Sequence, residues 1–172
     1  HVGHSLAVNF RPPSSGPGDL KTVHGAGHYG KDYRLMIEQF RKGLDIMEQV
    51  VPGSTRGNYE IKGMVWDQGF TDMIHKDYTK EYSNNLRNLI SDVRKEFRSP
   101  ALPFVIGEVG NHGNLNQIDD ESLRTHVESF RMAVQNVTSD PKLAKHVSYV
   151  KTAQYAVLNP TKKYDQIWHW YG

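Results

Sequence analysis

The 172 residues suffice for one domain with its own core, and 37% hydrophobic with 23% charged residues is the balance of a soluble domain with a polar surface. A formal net charge of +2 gives no electrostatic case for nucleic acid as a partner, and no apolar run approaches the length of a membrane span. With no cysteine there is neither a disulfide framework nor a thiolate nucleophile.

The chain opens at His1 rather than Met, so further residues are expected upstream. Residues 1–10, HVGHSLAVNF, read as the end of a strand and a following turn. The next segment, RPPSSGPGDLKTVHGAGHYG, is rich in Pro, Gly and Ser and predicts a long loop. Loops of that length in compact domains are often functional.

A helix is predicted from Asp32 to Val51, because Tyr33, Met36, Ile37, Phe40, Leu44, Met47 and Val51 recur at three- and four-residue steps. Pro52 and Gly53 end it. The short apolar run Ile61, Met64, Val65, Trp66 predicts a strand over 60–66, entering after the breakers Gly53, Gly57 and Asn58. Gln68 to Asp72 then form a tight polar loop, and in an open α/β sheet the loop after a strand's carboxyl end is where ligands bind. Gly69 lets a backbone N–H approach a ligand closely, while Gln68 can both donate and accept. Taken alone, this stretch reads equally as a polar loop with a capping Asp.

A second helix, Tyr78 to Phe97, carries the stripe Tyr82, Leu86, Leu89, Ile90, Val93 and Phe97 and stops before Pro100. The run Leu102 to Val109 is almost wholly apolar, as a strand covered on both faces should be. Gly110–Asn116 is a second carboxyl-end loop. A third helix, Asp120 to Val137, opens on Asp119, Asp120 and Glu121, which suit the positive end of the helix dipole. Leu123, Val127, Phe130, Val134 and Val137 form its buried face. A third strand follows at Val147 to Ala153, and the tail YAVLNPTKKYDQIWHWYG is loop-like and aromatic. Strands alternating with helices predict an α/β fold with a parallel sheet and right-handed crossovers. No internal repeat or second domain is visible, so residues 1–172 are read as a single domain.

Three patterns could carry chemistry. Gly25-Ala26-Gly27-His28-Tyr29-Gly30 matches a dinucleotide fingerprint, but a Pro/Gly loop rather than a strand precedes it, and no acidic residue closes the next strand. His1, His4, His24 and His28 lack a compact ligand spacing and a framing carboxylate, so no metal is expected. His169, preceded by Asp165 in a loop beyond the last strand, suits a general base with an orienting acid, or an exposed loop histidine. Trp66, Trp168, Trp170 and Tyr171 offer aromatic faces for a sugar, or walls of a core. Asn136-Val137-Thr138 is a glycosylation sequon, meaningful only in a eukaryotic secretory source.

Together these segments resemble the sialate O-acetylesterase-like, family-six carbohydrate esterases, a branch of the SGNH hydrolases. The matching residues are Ser5-Leu6, Phe10-Arg11-Pro12-Pro13-Ser14-Ser15, the block Gly63-Met64-Val65-Trp66-Asp67-Gln68-Gly69-Phe70-Thr71-Asp72, Tyr82, Asn85-Leu86, Asn88-Leu89-Ile90, Asp92, Arg94, Leu102 to Glu108, and His169 with Gly172. The W-x-Q-G-x-x-D block and the R-P-P-S-S loop are fairly specific as a pair.

The resemblance implies a flavodoxin-like three-layer sandwich around a parallel sheet, incomplete at both ends, and hydrolysis of acetyl esters on sugars without a cofactor. It places Gln68 and Gly69 near the oxyanion, Asp72 as a buttress of that loop, His169 as the base with Asp165 as its acid, and Gly3 as a second oxyanion donor. Asp165 stands four residues before His169 where the family pattern has three, and Phe70 and Thr71 depart from the family's central block. The family's nucleophile lies in a G-Q-S-N-like turn that these residues lack, so the serine is expected upstream. The alternative is a catalytically inactive sugar-binding or self-assembling module. The expected partners are an acetylated carbohydrate and another polypeptide segment or subunit covering an open sheet edge at Ile61 and Val65, and the expected location is secreted or periplasmic.

Overall fold

Three short strands form a parallel sheet: β1 (Met64–Trp66), β2 (Phe104–Gly107) and β3 (Val147–Val150), in that order across it. The structure, a computed structural model, describes residues 3–17, 29–55 and 57–156. Its helices are α1 (Lys31–Asp45), α2 (Met47–Val50), α3 (Phe70–Ile74), α4 (Lys76–Glu96) and α5 (Glu121–Thr138). The fold is α/β, as the alternation of strand and helix patterns predicts.

Strand register explains which side chains are buried. Met64, Phe104 and Val147 align across the sheet, as do Trp66, Ile106 and Tyr149. All six pack in or against the core under α4 and α5. The intervening row, Val65, Val105 and Ser148, belongs to the opposite face. There Val65 is 72% exposed, Val105 38% and Val150 44%. The expectation that β2 is covered on both faces therefore does not hold among the described residues. They supply the sheet and one helical layer of an α/β sandwich, which is incomplete as expected.

The strands are shorter than the apolar runs suggest. Pairing of β1 with β2 starts at Met64 and Phe104, where Met64 N–H donates to Pro103 O at 2.9 Å. Pro103 has no N–H with which to extend the ladder. Residues 60–63 lie outside the strand, and Ile61 packs against the core instead of fronting an edge. Residues 3–10 form turns rather than the end of a strand, with Leu6, Ala7 and Val8 buried.

The helices follow their stripes closely where a partner exists. On α4, Tyr82, Leu86, Leu89, Ile90 and Val93 are buried, and on α5, Val127, Phe130, Val134 and Val137. The Tyr82 and Phe130 rings meet at 4.6 Å between centroids. Each such fully buried side chain contributes roughly 1.5–3 kcal/mol of gross hydrophobic free energy. Asp120 caps α5 by accepting Leu123 N–H at 2.9 Å. The predicted helix over 32–51 is interrupted at Ile46, dividing α1 from α2. Only its first half is buried, at Tyr33 and Ile37, while Phe40 and Val51 remain exposed.

The R-P-P-S-S loop folds around the Arg11 guanidinium, which donates to Ala7 O, Ser15 O, Gly16 O and Glu81. Gly30 closes the same region at φ 67°, and a Cβ there would stand 2.7 Å from Arg11 O, so glycine is required.

Candidate active site

Three segments converge at the carboxyl ends of β1 and β2: the turn 3–9, the loop 67–72 and the loop 108–113. Asp72 joins the first two. It is fully buried, and its carboxylate accepts Leu6 N–H at 2.8 Å and Ala7 N–H at 2.9 Å. Gln68 Nε2 donates to the same carboxylate at 2.7 Å and to His4 O at 3.0 Å. Burial pushes the Asp72 carboxyl up, while the three N–H donors pull toward the ionised form. Asp72 thus ties the turn 3–9 to the loop 67–72.

Gln68 is fixed from both ends. Tyr82, buried on α4, donates its hydroxyl to Gln68 O at 2.6 Å and receives Trp66 Nε1–H at 3.3 Å. Burial drives the Tyr82 phenol far above its ordinary range, so it stays a neutral donor. Both hydrogens of Gln68 Nε2 are already committed, to His4 O and Asp72. In this arrangement the side chain ties loop to turn and offers no spare donor to an oxyanion.

Backbone donors remain. Gly69 precedes α3 with φ 155°, and its N–H has no acceptor among the described residues. The same is true of Gly3, at φ 82° in the turn that Gln68 holds. A Cβ on Gly69 would stand 2.7 Å from Val109 Cγ2 and 2.8 Å from Phe130 Cζ, so the close packing of loop, β2 end and α5 depends on glycine here.

The third segment is held by a buried ion pair that the sequence reading missed. Arg131 on α5 donates to Val109 O, Asn111 O and Gly113 O at 2.9–3.2 Å, and its Nε lies 3.8 Å from Glu108. Glu108 accepts Tyr149 Oη–H at 2.9 Å and the backbone N–H groups of Thr152 and Ala153 at 3.0 and 2.8 Å. Two carboxyl-end loops are thereby locked to one another. The helical period placed residue 131 beside Phe130, yet nothing in the local pattern announced a buried arginine. Nearby His112 adopts φ 70°, and burial together with Arg131 lowers its pKa below 6.5.

A second unforeseen pairing is His4 Nδ1 with the buried carboxylate of Asp32, 28 residues apart in the chain. Asp32 N–H is held in turn by Asn9 O at 2.9 Å. Ser5 is buried with its Oγ accepting Val8 N–H at 3.1 Å, a turn-stabilising contact. Ser14 donates to Asp92 at 2.5 Å on the surface.

Of the six residues singled out in the sequence, Gly3, Gln68, Gly69 and Asp72 belong to the converging turn and loop. Asp165 and His169 lie outside the described residues. So do His1, His24 and His28, and no group of three or more potential metal ligands occurs among the described residues.

A profile of the family described as "carbohydrate esterase, sialic acid-specific acetylesterase" matches residues 32–159, most of the chain. The chain belongs to that family. The membership accords with the α/β fold. A protein of Arabidopsis thaliana named "probable carbohydrate esterase" is similar, at 28% identity over 80 residues, 45% of this chain. The match spans 31% of that relative's length. No solved structure matches the chain. Within the esterase family's matched region lie the Gln68–Asp72 loop and the Glu108–Arg131 pair, but not the turn 3–9.

Proposed function

We propose that the protein is a carbohydrate O-acetylesterase-type hydrolase, acting on acetylated sialic acid or plant or algal polysaccharide outside the cytoplasm. The observation that carries this reading is the buried Asp72–Gln68 network, which ties the turn 3–9 to the loop 67–72, where Gly3 and Gly69 each carry an N–H with no acceptor among the described residues. Pre-positioned backbone donors of this kind stabilise the oxyanion of acyl transfer. In the reaction a serine Oγ attacks the acetyl carbonyl while His169 takes its proton. The oxyanion collapses, the C–O bond to the sugar breaks, and His169 returns the proton to the leaving hydroxyl. Water, activated by the same His, then releases acetate from the acyl-serine. Asp165 orients the histidine. Ser5 is committed to its turn, so the nucleophile comes from a segment outside these residues.

The test is hydrolysis of p-nitrophenyl acetate. Residues 1–172 alone should not exceed free imidazole at the same pH. A longer gene product carrying an upstream G-Q-S-N-like turn should hydrolyse it, and His169→Ala should abolish that activity. An inert longer product would favour the alternative, an inactive sugar-binding or self-assembling module, which the Phe70 departure also suits. His169-dependent turnover by 1–172 alone would reopen Ser5 as nucleophile.

A further inference from the structure

Beyond the loop that Arg131 holds lies a cleft of about 520 Å³, walled by α5, the turn 115–117, Tyr149 of β3 and the segment 151–154 that follows it. That volume is in the range of small-ligand sites, roughly 300–1,000 Å³. The lining has a particular chemistry. Its charged groups are Glu108, Glu128, Arg131 and Lys151, two acids and two bases. Glu108 and Arg131 are buried and paired with each other, so the cleft has no excess charge with which to select an ion. Four exposed carboxamides stand at its walls: Asn114 caps the turn 115–117, while Asn116, Gln135 and Gln154 make no side-chain hydrogen bond within the described residues. Arg131 adds a further donor: Nε and Nη2 are spent on loop carbonyls and Glu108, while Nη1 has no acceptor among the described residues. Leu115, Met132 and Tyr149 supply apolar surface between these groups.

We propose that this cleft is a subsite for a neutral, polyhydroxylated sugar chain. A carboxamide both donates and accepts, as each sugar hydroxyl does, so uncommitted amides match pyranose hydroxyls group for group. The apolar patches suit the C–H faces of the rings. An acidic sugar fits less well, because Glu128 and Glu108 offset Arg131 and Lys151. The cleft is also tied to the candidate active site. Val109 packs at Gly69, and the loop it begins is held by Arg131, which lines the cleft. A chain seated here would extend from the ester-bearing residue across one loop. The inference rests on the carbohydrate-esterase reading only for its choice of sugar as the polyol.

The experiment uses sugars without acetyl groups, so it does not depend on hydrolysis. The ¹⁵N-labelled 172-residue chain is titrated with xylohexaose, mannohexaose and cellohexaose, and separately with 3′-sialyllactose. At least one neutral hexasaccharide should shift the amide signals of Asn116, Gln135 and Gln154. Asn116→Ala and Gln135→Ala, both exposed and outside the catalytic machinery, should each weaken it by tenfold or more. Absence of binding by all three, shifts mapping elsewhere, or affinity unchanged in both variants would overturn the subsite. Tighter binding of 3′-sialyllactose in the cleft would overturn its assignment to neutral chains. A chain that binds the neutral probes here yet hydrolyses no ester in its longer form would leave the subsite standing and sink the esterase reading.

Discussion

Asp72 concentrates more of the local architecture than any other side chain, since one fully buried carboxylate satisfies two backbone amides and a carboxamide across 66 residues of sequence. Asp72→Ala leaves those three donors in a dry site and is expected to cost at least about 1–3 kcal/mol in urea-induced unfolding. Asp72→Asn is no remedy, because its NH₂ group would face a backbone N–H. An unchanged midpoint for either variant would show that the carboxylate network contributes nothing to stability. His112 gives a second prediction at this scale. Its pKa in the fold is depressed by burial and by Arg131 below the ordinary 6.5. Other cations do not adjoin it in the described loop, whose remaining residues are Asn111, Gly110, Gly113 and Asn114. As pH falls below 6.5 the unfolded chain protonates first, so stability present above that pH is lost as pH falls toward the folded value. His112→Asn, tolerated at φ 70°, should flatten this acid-side decline. Parallel pH profiles of the two proteins would exclude the assignment.

The elements were legible to different degrees, for physical reasons. The α4 and α5 faces were readable because residues three and four apart share a face, and Leu86, Leu89, Ile90, Val127 and Val134 all ended up buried. Strand ends were not, because an apolar run does not say where a proline stops the ladder, as Pro103 does before Phe104. The Gln68–Asp72 loop was visible from its glycine and polar residues, but its partner at Leu6 and Ala7, the His4–Asp32 pairing and the Glu108–Arg131 pair depend on tertiary contacts with no local signature. Two variants test how these loops are held. Gly69→Ala should cost roughly 1–3 kcal/mol of stability by driving a methyl into Val109 and Phe130, and Val109→Ala in the same chain should recover part of it. Arg131→Lys keeps the charge yet cannot span three carbonyls. It should lower stability by about 1–3 kcal/mol. Full stability of Arg131→Lys would show that charge alone, not the guanidinium fork, holds the loop.

At the scale of the molecule, the sheet is half clothed. Helices α4 and α5 cover the face carrying Phe104 and Ile106, while Val65, Val105 and Val150 stand exposed on the other among the described residues. Asp67 and Tyr155 border the same open surface, so it reaches the carboxyl ends of the strands. Contiguous exposed apolar surface drives association, and β1 also presents an unpaired edge in the described sheet. Residues 1–172 on their own should therefore self-associate as concentration rises, with sedimentation velocity reporting a growing weight-average coefficient. Replacing Val65 and Val105 together by Lys should move that rise to higher concentration with little loss of monomer stability, because neither side chain is buried in the described core. A wild-type chain that stays monomeric across a hundredfold range of concentration, with Val65→Lys strongly destabilising, would show instead that this face is covered within the 172 residues. In that case Val65 belongs to a second core.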